Sequence, residues 1–337
     1  MVYQLAEGVN LHVLPTKQYK TIRIFIRFTA RLQQEVITKR SLLSSMLETN
    51  SLNYPDQTKL SAQLAELYGA SFGLSVRKKG NLHWLNAGIS FVNGEYVNDP
   101  NLFSQAVDFL KEVLFYPNIK NQQFDQLTFD LEKNNLRLYL ESLKEDKQTF
   151  ASYALQELYF ENSPEQKIPS LGVVEDLDKI TASSLASYYQ EMMANDQIDI
   201  FVVGDVDPDK AAEAVGQLPF ESRETVYPDL FYTQPQVNIV KERQVREPIV
   251  QAKLNLAYQT NVYYDEPERF ALMVFNGLFG GFPHSKLFMN VREKESLAYY
   301  ASSSVDTFRG FMSVQTGIDE KNRNQVLRLI HEQLESL

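Results

Sequence analysis

The chain has 337 residues, of which 44% are hydrophobic and 12% aromatic; this is enough for packed cores and excludes a disordered protein. A net charge of −10 excludes the basic surface that nucleic acids and anionic membranes require. The absence of cysteine excludes disulfides, thiolate metal sites and cysteine nucleophiles, and it suits a reducing cytosol. The length predicts two domains.

The first ten residues have neither the basic region nor the apolar region of a signal peptide. No apolar run approaches the roughly 18 residues that a membrane span needs. We therefore predict no membrane span, no nucleic-acid partner and a cytoplasmic location.

The first part of the chain alternates between strand and helix patterns. In Thr21–Phe28, four apolar residues occupy every second position and Arg23 and Arg27 fall between them, which is typical of a strand with one buried face. A long helical periodicity covers Asn121–Tyr159. Further strands are predicted over Val9–Leu14, Ser71–Lys78, Leu82–Val92 and Ile198–Gly204, and helices over Thr38–Leu47, Thr58–Tyr68, Asn101–Leu114, Ser184–Met193 and Pro208–Val215.

The composition changes over residues 220–248, where prolines fall among charged and aromatic residues, as in a linker. After it the pattern restarts, with a strand over Ile249–Tyr258 and a helix over Glu266–Leu278, in the same order as Thr21–Leu47. The sequence ends on an amphipathic helix, Asn322–Leu337. We predict an α+β fold of two similar halves, each an antiparallel sheet flanked by helices: a domain at 1–219, a linker at 220–248, and a shortened, incomplete domain at 249–337.

One segment, Gly277–Tyr300, carries the most specific pattern. It leads from an apolar helix through a glycine pair into a second helix, which bears Arg292, and it ends on Leu-Ala-Tyr299. A guanidinium and a phenol at this spacing could hold a peptide carbonyl or an oxyanion. An ordinary ion pair and a buried aromatic would explain the two residues alone. The segment as a whole, however, with its glycine pair, Arg292 and Leu-Ala-Tyr299 at matching positions, resembles the second-half motif of the insulinase/pitrilysin family of zinc peptidases.

The resemblance implies a LuxS/metallopeptidase-like fold and a zinc motif, His-x-x-Glu-His, on the first helix of the first half, with a third ligand on a later helix. The matching helix here carries Ser41, Ser44 and Ser45 at the ligand and base positions. Serine hydroxyls are poor zinc ligands and cannot act as the base. The third ligand would fall near Leu138 or Tyr139, with Glu132 and Glu141 nearby. We therefore predict no catalytic residues, no metal ligands and no bound zinc, although zinc is expected in the family.

Other candidate sites are weaker. None of the four histidines, His12, His83, His284 and His331, is spaced as in a metal site. His12 and His83 are predicted to pack or to lie on the surface, and His284 to have a structural role in the glycine-rich turn. The glycines of Gly277–Gly281 are not followed by the Gly-Lys-Ser/Thr of a phosphate loop. No Gly-x-Ser-x-Gly motif is present.

The sequence thus predicts a non-catalytic zinc-peptidase homologue, not an enzyme by itself. The resemblance implies that Arg292 and Tyr299 grip the backbone of a peptide or small protein, and that the chain works in a clamshell dimer, with a zinc-bearing subunit or by self-association. Two alternatives stay open: an active metallopeptidase with an unconventional site, and a scaffold without peptide binding.

Overall fold

A computed structural model describes residues 1–224, 229–236 and 239–337. The chain forms two compact units. The first comprises Met1–Lys78, Leu82–Leu140 and Ser170–Pro228, and the second Lys79–Asn81, Glu141–Pro169 and Asp229–Leu337. Parts of the predicted linker 220–248, residues 225–228 and 237–238, lie outside the described residues. The predicted domain bounds stay a prediction. No helix in the described ranges is long and apolar enough to cross a membrane.

The first unit is built on a six-stranded sheet with the order β1-β2-β8-β3-β5-β4. The pairs β1–β2, β3–β5 and β3–β8 are antiparallel, whereas β2 and β8 run parallel. The strands of this part of the chain are β1 (Val2–Ala6), β2 (Val9–Pro15), β3 (Thr21–Arg31), β4 (Ser71–Lys79), β5 (Leu82–Val92), the short pair β6 (Ile119–Lys120) and β7 (Gln123–Phe124), and β8 (Gln197–Gly204).

Helices pack on one face of this sheet, where the apolar residues of the strands are buried. Ile24, Ile26 and Phe28 of β3 are fully buried, as their alternation predicts. The helices of the first unit are α1 (Gln34–Thr49), α2 (Gln57–Glu66), α3 (Leu102–Phe115), α4 (Gln126–Glu145, whose last residues belong to the second unit), α7 (Val174–Leu177), α8 (Ala182–Asn195) and α9 (Pro208–Val215). The helices α5 (Lys147–Tyr159) and α6 (Pro164–Lys167) belong to the second unit.

The long helical pattern of residues 121–159 is interrupted in the structure. Asp146 separates α4 from α5, and its carboxylate accepts hydrogen bonds from the backbone N–H groups of Gln148 and Thr149. Aspartate at a helix N-cap satisfies donors that have no partner within the helix. The break is therefore capped locally, although the apolar periodicity continues across it.

The second unit holds a three-stranded antiparallel sheet with the order β10-β11-β9. This matches the order β4-β5-β3 of the first unit, so the predicted α+β fold with two similar halves is confirmed. Phe279, Val291 and Val314 form its fully buried core with other apolar residues. The elements are β9 (Ala252–Gln259), α10 (Arg269–Asn276), two π-helical segments (Gly277–Gly281 and Leu287–Lys294), β10 (Ala298–Asp306), β11 (Phe311–Ile318) and α11 (Arg323–Glu335).

Candidate functional site

The three serines at the predicted zinc-motif positions lie on α1. The Ser44 hydroxyl donates to the Ser41 carbonyl at 2.7 Å, and the Ser45 hydroxyl reaches the same carbonyl at 3.4 Å. Ser41, itself buried, donates to the carbonyl of Ile37. Serine in a helix commonly bonds to the preceding turn in this way. The hydroxyls are thus engaged with the helix backbone.

The predicted third-ligand positions on α4 are also unsuited to metal binding. Leu138 and Tyr139 are 56% and 51% exposed, and neither side chain offers a carboxylate. Across residues 1–224, 229–236 and 239–337, no group of three or more His, Cys, Asp or Glu side chains could hold a metal ion. The side chains of the described residues therefore do not fit the zinc that the resemblance implies.

A buried arginine lies next to Ser41. Arg40 is fully buried, and its guanidinium donates to Asp196 Oδ2 at 2.7 Å, to the Tyr188 hydroxyl at 3.0 Å and to the Phe28 carbonyl at 2.9 Å. Burial by itself lowers the pKa of Arg40, but the Asp196 carboxylate and the Tyr188 hydroxyl together outweigh burial, raise the pKa and keep the guanidinium charged. This ion pair ties α1 to the end of α8. No sequence signal marked it, because 156 residues separate Arg40 from Asp196.

Of the four histidines, His83 is the one that is fully buried. Its Nε2 lies 3.0 Å from the Ser170 carbonyl, so the neutral ring donates there. Burial, with a smaller effect of the Arg40 charge, lowers the pKa of His83 to about 3. A neutral, hydrogen-bonded core histidine agrees with the predicted packing role.

The depressed pKa of His83 predicts a pH dependence of stability. The unfolded chain protonates this histidine near its usual pKa of 6.5, whereas the folded chain resists protonation until about pH 3. The contribution of His83 to the free energy of unfolding is therefore fully present above pH 6.5 and is lost as the pH falls from 6.5 towards 3. At about pH 5 we expect a loss of about 2 kcal/mol in the free energy of unfolding. Urea denaturation of the wild type and of His83→Gln, at neutral pH and at about pH 5, measures this loss.

The exposed His284 provides the control, since His284→Gln should keep the pH profile of the wild type. His83→Gln should lose much of the decrease between neutral pH and about pH 5. An unchanged decrease in His83→Gln would assign the pH dependence to other groups.

The glycines of Gly277–Gly281 are required by close packing. A Cβ atom on Gly280 would lie 2.6 Å from both the backbone nitrogen and the hydroxyl of Ser303 in β10. The Ser303 hydroxyl also donates to Asn276 Oδ1 at 2.8 Å. The first π-helical segment thus packs directly on the backbone of β10, which agrees with the interpretation that these glycines are not a phosphate loop.

Arg292 lies on the second π-helical segment. Its guanidinium lies over the Phe288 ring at 4.4 Å, its Nε is 3.5 Å from Glu293 Oε1, and its side chain is 40% exposed. A contact this exposed contributes little to stability. The guanidinium thus keeps donors available to a ligand.

Tyr299 is the extra residue of a β-bulge. Ala298 pairs with Ile318 and Tyr300 pairs with Gly317, so Tyr299 has no partner of its own on β11. A bulge reorients a side chain, and Tyr299 is 59% exposed. No hydrogen bond joins Arg292 to Tyr299 within the described part of the chain, and both residues are exposed.

The neighbouring Tyr300 has a different environment. Its ring covers Gly317, where an added Cβ would lie 2.4 Å from Tyr300 Cε1. Burial raises the pKa of Tyr300 to about 12. Of the two consecutive tyrosines, Tyr299 is therefore the one that presents its phenol outward.

Comparison with known proteins agrees with this description. The family model described as "Peptidase M16 inactive domain" matches residues 179–337. The Bacillus subtilis (strain 168) protein described as "Probable inactive metalloprotease YmfF" is 33% identical over 98% of this chain and 78% of that protein. The chain belongs to the M16 peptidase family. It is an inactive homologue in this family, which confirms the predicted fold relationship and agrees with the loss of the zinc motif.

Solved structures share the fold. A conserved protein from Enterococcus faecalis V583 is 62% identical, with a TM-score of 0.95 over 99% of this chain and 79% of that chain. A chain in the structure of complex III2 from Candida albicans is 15% identical, with a TM-score of 0.67 over 99% of this chain and 75% of that chain. The M16 fold therefore also occurs within a multi-subunit complex.

Proposed function

We propose that this M16 homologue binds an extended peptide through Arg292 and Tyr299 and positions it for a zinc-bearing family subunit. The observation that carries the proposal is a contrast between two places in the molecule. The serines of α1 are bonded to their own helix, whereas Arg292 and Tyr299 are 40% and 59% exposed. The zinc ligands and the base that would cleave a peptide bond are missing, whereas the donors that would bind a peptide carbonyl are accessible.

The chemistry of the two side chains suits a peptide backbone. Arg292 offers several N–H donors in a fixed plane and Tyr299 offers one O–H donor. A hydrogen bond from a charged donor contributes about 1.5–3 kcal/mol, and one from a neutral donor about 0.5–1.5 kcal/mol. Together they would orient a carbonyl without contributing a nucleophile or a base.

A partner subunit is part of the same proposal. Peptide positioning without a cutting site has a use when another subunit supplies the zinc, and the fold occurs in the Candida albicans complex III2 chain. We propose a clamshell dimer with such a subunit. The absence of cysteine supports the proposed cytoplasmic location.

Binding of peptide tests the role of the pair. With fluorescently labelled casein peptides, we expect Arg292→Ala to weaken binding at least about tenfold and Tyr299→Phe several-fold, in line with the loss of one charged and one neutral hydrogen bond. Fluorescence anisotropy measures both. Arg328→Ala and Tyr264→Phe are matched controls, because the second unit exposes this arginine and this tyrosine to a similar or greater degree, and both should bind as the wild type does.

Two outcomes would contradict the proposal. Equal binding by Arg292→Ala, Tyr299→Phe and the wild type would favour a scaffold without peptide binding. Stoichiometric zinc in the purified chain, together with cleavage that a chelator abolishes, would favour an active metallopeptidase with an unconventional site. We expect neither zinc nor cleavage from the chain alone, and faster peptide turnover when a zinc-bearing M16 subunit is added.

A further inference from the structure

A cleft lies in the second unit between helix α5 and the hairpin that β10 and β11 form. Its volume is about 390 Å³, which is within the range of small-molecule sites. All the residues that line it belong to the second unit. We call it the α5 cleft and define it by six of its lining residues: Lys79, Tyr159, Ser304, Phe308, Phe311 and Ser313.

The strand register and the helical spacing bring the lining side chains together. Ser304 of β10 pairs with Ser313 of β11, and both lie on the face of the sheet opposite the core. On α5, Ser152 and Tyr159 are seven residues apart and therefore share one side of the helix. The Tyr159 ring stacks on the Phe311 ring at 5.3 Å and holds this end of α5 on the sheet. Regular elements thus fix the walls of the cleft.

The cleft contains a cation that no carboxylate neutralises. The Lys79 ammonium lies 3.9 Å from the centre of the Phe308 ring, and among the residues that the structure describes no carboxylate forms an ion pair with it. Arg309 differs, because its Nε donates to Asp306 Oδ2 at 2.8 Å. The chain as a whole carries a net charge of −10. An unpaired, half-buried ammonium on so acidic a chain favours an anionic ligand.

The backbone turn after Lys79 fixes the position of this cation. Gly80 has a φ of +55°, and a Cβ atom there would lie 1.9 Å from the Leu230 carbonyl oxygen, so the turn requires glycine. The same Leu230 carbonyl accepts a hydrogen bond from the Asn81 N–H at 3.0 Å. The Gly80 carbonyl accepts one from the side-chain amide of Gln166 at 2.9 Å. Because the ammonium extends from a fixed backbone, less entropy is lost when a ligand binds.

The remaining groups of the cleft select the rest of the ligand. The hydroxyls of Ser304 and Ser313 are 2.9 Å apart. Their mutual hydrogen bond uses one of their two protons, so the other can be donated to a ligand. The rings of Tyr159, Phe308 and Phe311 give the cleft aromatic walls, which favour a ligand that contains a ring. A single unpaired cation suits a monoanion better than a phosphate dianion.

We propose that the α5 cleft binds a small aromatic monocarboxylate. The carboxylate of the ligand pairs with the Lys79 ammonium and accepts a hydrogen bond from the serine pair, and its ring lies against the aromatic walls. Hydrogen bonds to an ionised group are the stronger kind. Tyr299 and Ser304 are five residues apart on β10, about 17 Å along an extended strand. The cleft is therefore separate from the proposed peptide site, and its ligand goes beyond the proposed function.

N-Acetylphenylalanine is the probe, because it combines one carboxylate with one aromatic ring. We expect saturable binding to the full chain in a ligand-observed NMR titration, and weaker binding at high salt. N-Acetylphenylalanine amide lacks the charge, and N-acetylalanine lacks the ring. Each should bind at least about tenfold more weakly than N-acetylphenylalanine.

Two substitutions with matched controls locate the site. Lys79→Met should weaken binding of N-acetylphenylalanine at least about tenfold. Lys253→Met removes another half-buried ammonium beside an aromatic ring of the second unit and should bind normally. Ser304→Phe fills the cleft from an exposed position and should abolish binding, whereas Ser302→Phe, two residues earlier on the same face of β10, should not. Arg292→Ala should also bind normally, so this proposal and the proposed peptide site can fail separately.

Each of four results would overturn the proposal: no saturable binding of N-acetylphenylalanine, equal binding of its amide or of N-acetylalanine, equal binding by Lys79→Met, or equal binding by Ser304→Phe. The thermal midpoint of each variant shows whether a loss of binding is a loss of folding. The two variants change different elements, so if one of them fails to fold the other still decides the outcome.

Discussion

Replacing Arg40 by alanine is expected to lower the free energy of unfolding by roughly 3–5 kcal/mol, the largest effect of any single substitution considered for the first unit. The change leaves Asp196 as a buried carboxylate without its arginine and removes donors from the Tyr188 hydroxyl and the Phe28 carbonyl. Equilibrium denaturation in urea, followed by circular dichroism, measures the loss.

Two controls separate the buried charge from general effects of losing an arginine. Arg137 pairs with Asp178 at the surface, where both side chains are partly exposed, so Arg137→Ala should cost less than about 1 kcal/mol. The double variant Arg40→Met, Asp196→Leu removes both charges and should recover most of the stability that Arg40→Ala loses. If the double variant is as unstable as Arg40→Ala, an unpaired carboxylate is not the cause.

Gly280→Ala is expected to destabilise the second unit by about 3 kcal/mol, at the upper end of the range for overpacking. The added Cβ would meet the Ser303 backbone nitrogen and hydroxyl at 2.6 Å and Leu287 Cδ1 at 2.8 Å. The backbone of β10 must shift to relieve the contact, and β10 also carries Tyr299. We therefore expect weaker peptide binding as well as a lower midpoint of thermal unfolding.

Gly88→Ala is the matched control for this substitution. Gly88 lies in β5, and a Cβ there would meet its nearest atom, Phe25 Cβ, at 3.5 Å, an ordinary contact. Alanine in a strand lowers the entropy of the unfolded chain, so this variant should match or slightly exceed the wild type in stability. A thermal midpoint for Gly280→Ala equal to that of Gly88→Ala would show that the first π-helical segment does not pack as described.

Local patterns predicted the elements whose burial alternates regularly. In β3 and β5 every second residue is buried, and this period is visible in the residues themselves. β10 and β11 were not predicted. In β10, serines and tyrosines occupy much of Ala298–Asp306 and give no clear apolar alternation. The start of α1 at Gln34 was also missed, since its N-cap Gln33 makes no side-chain capping bond.

The sequence by itself determined the family and the loss of the zinc motif, because both are matters of residue type at fixed spacing within single segments. Pairing between distant segments decided the rest. The parallel β2–β8 pair, the Arg40–Asp196 ion pair and the bulge at Tyr299 each depend on a partner far along the chain or on another strand. The neighbours of a residue are determined only when the sheets assemble, so no local sequence pattern predicts these contacts.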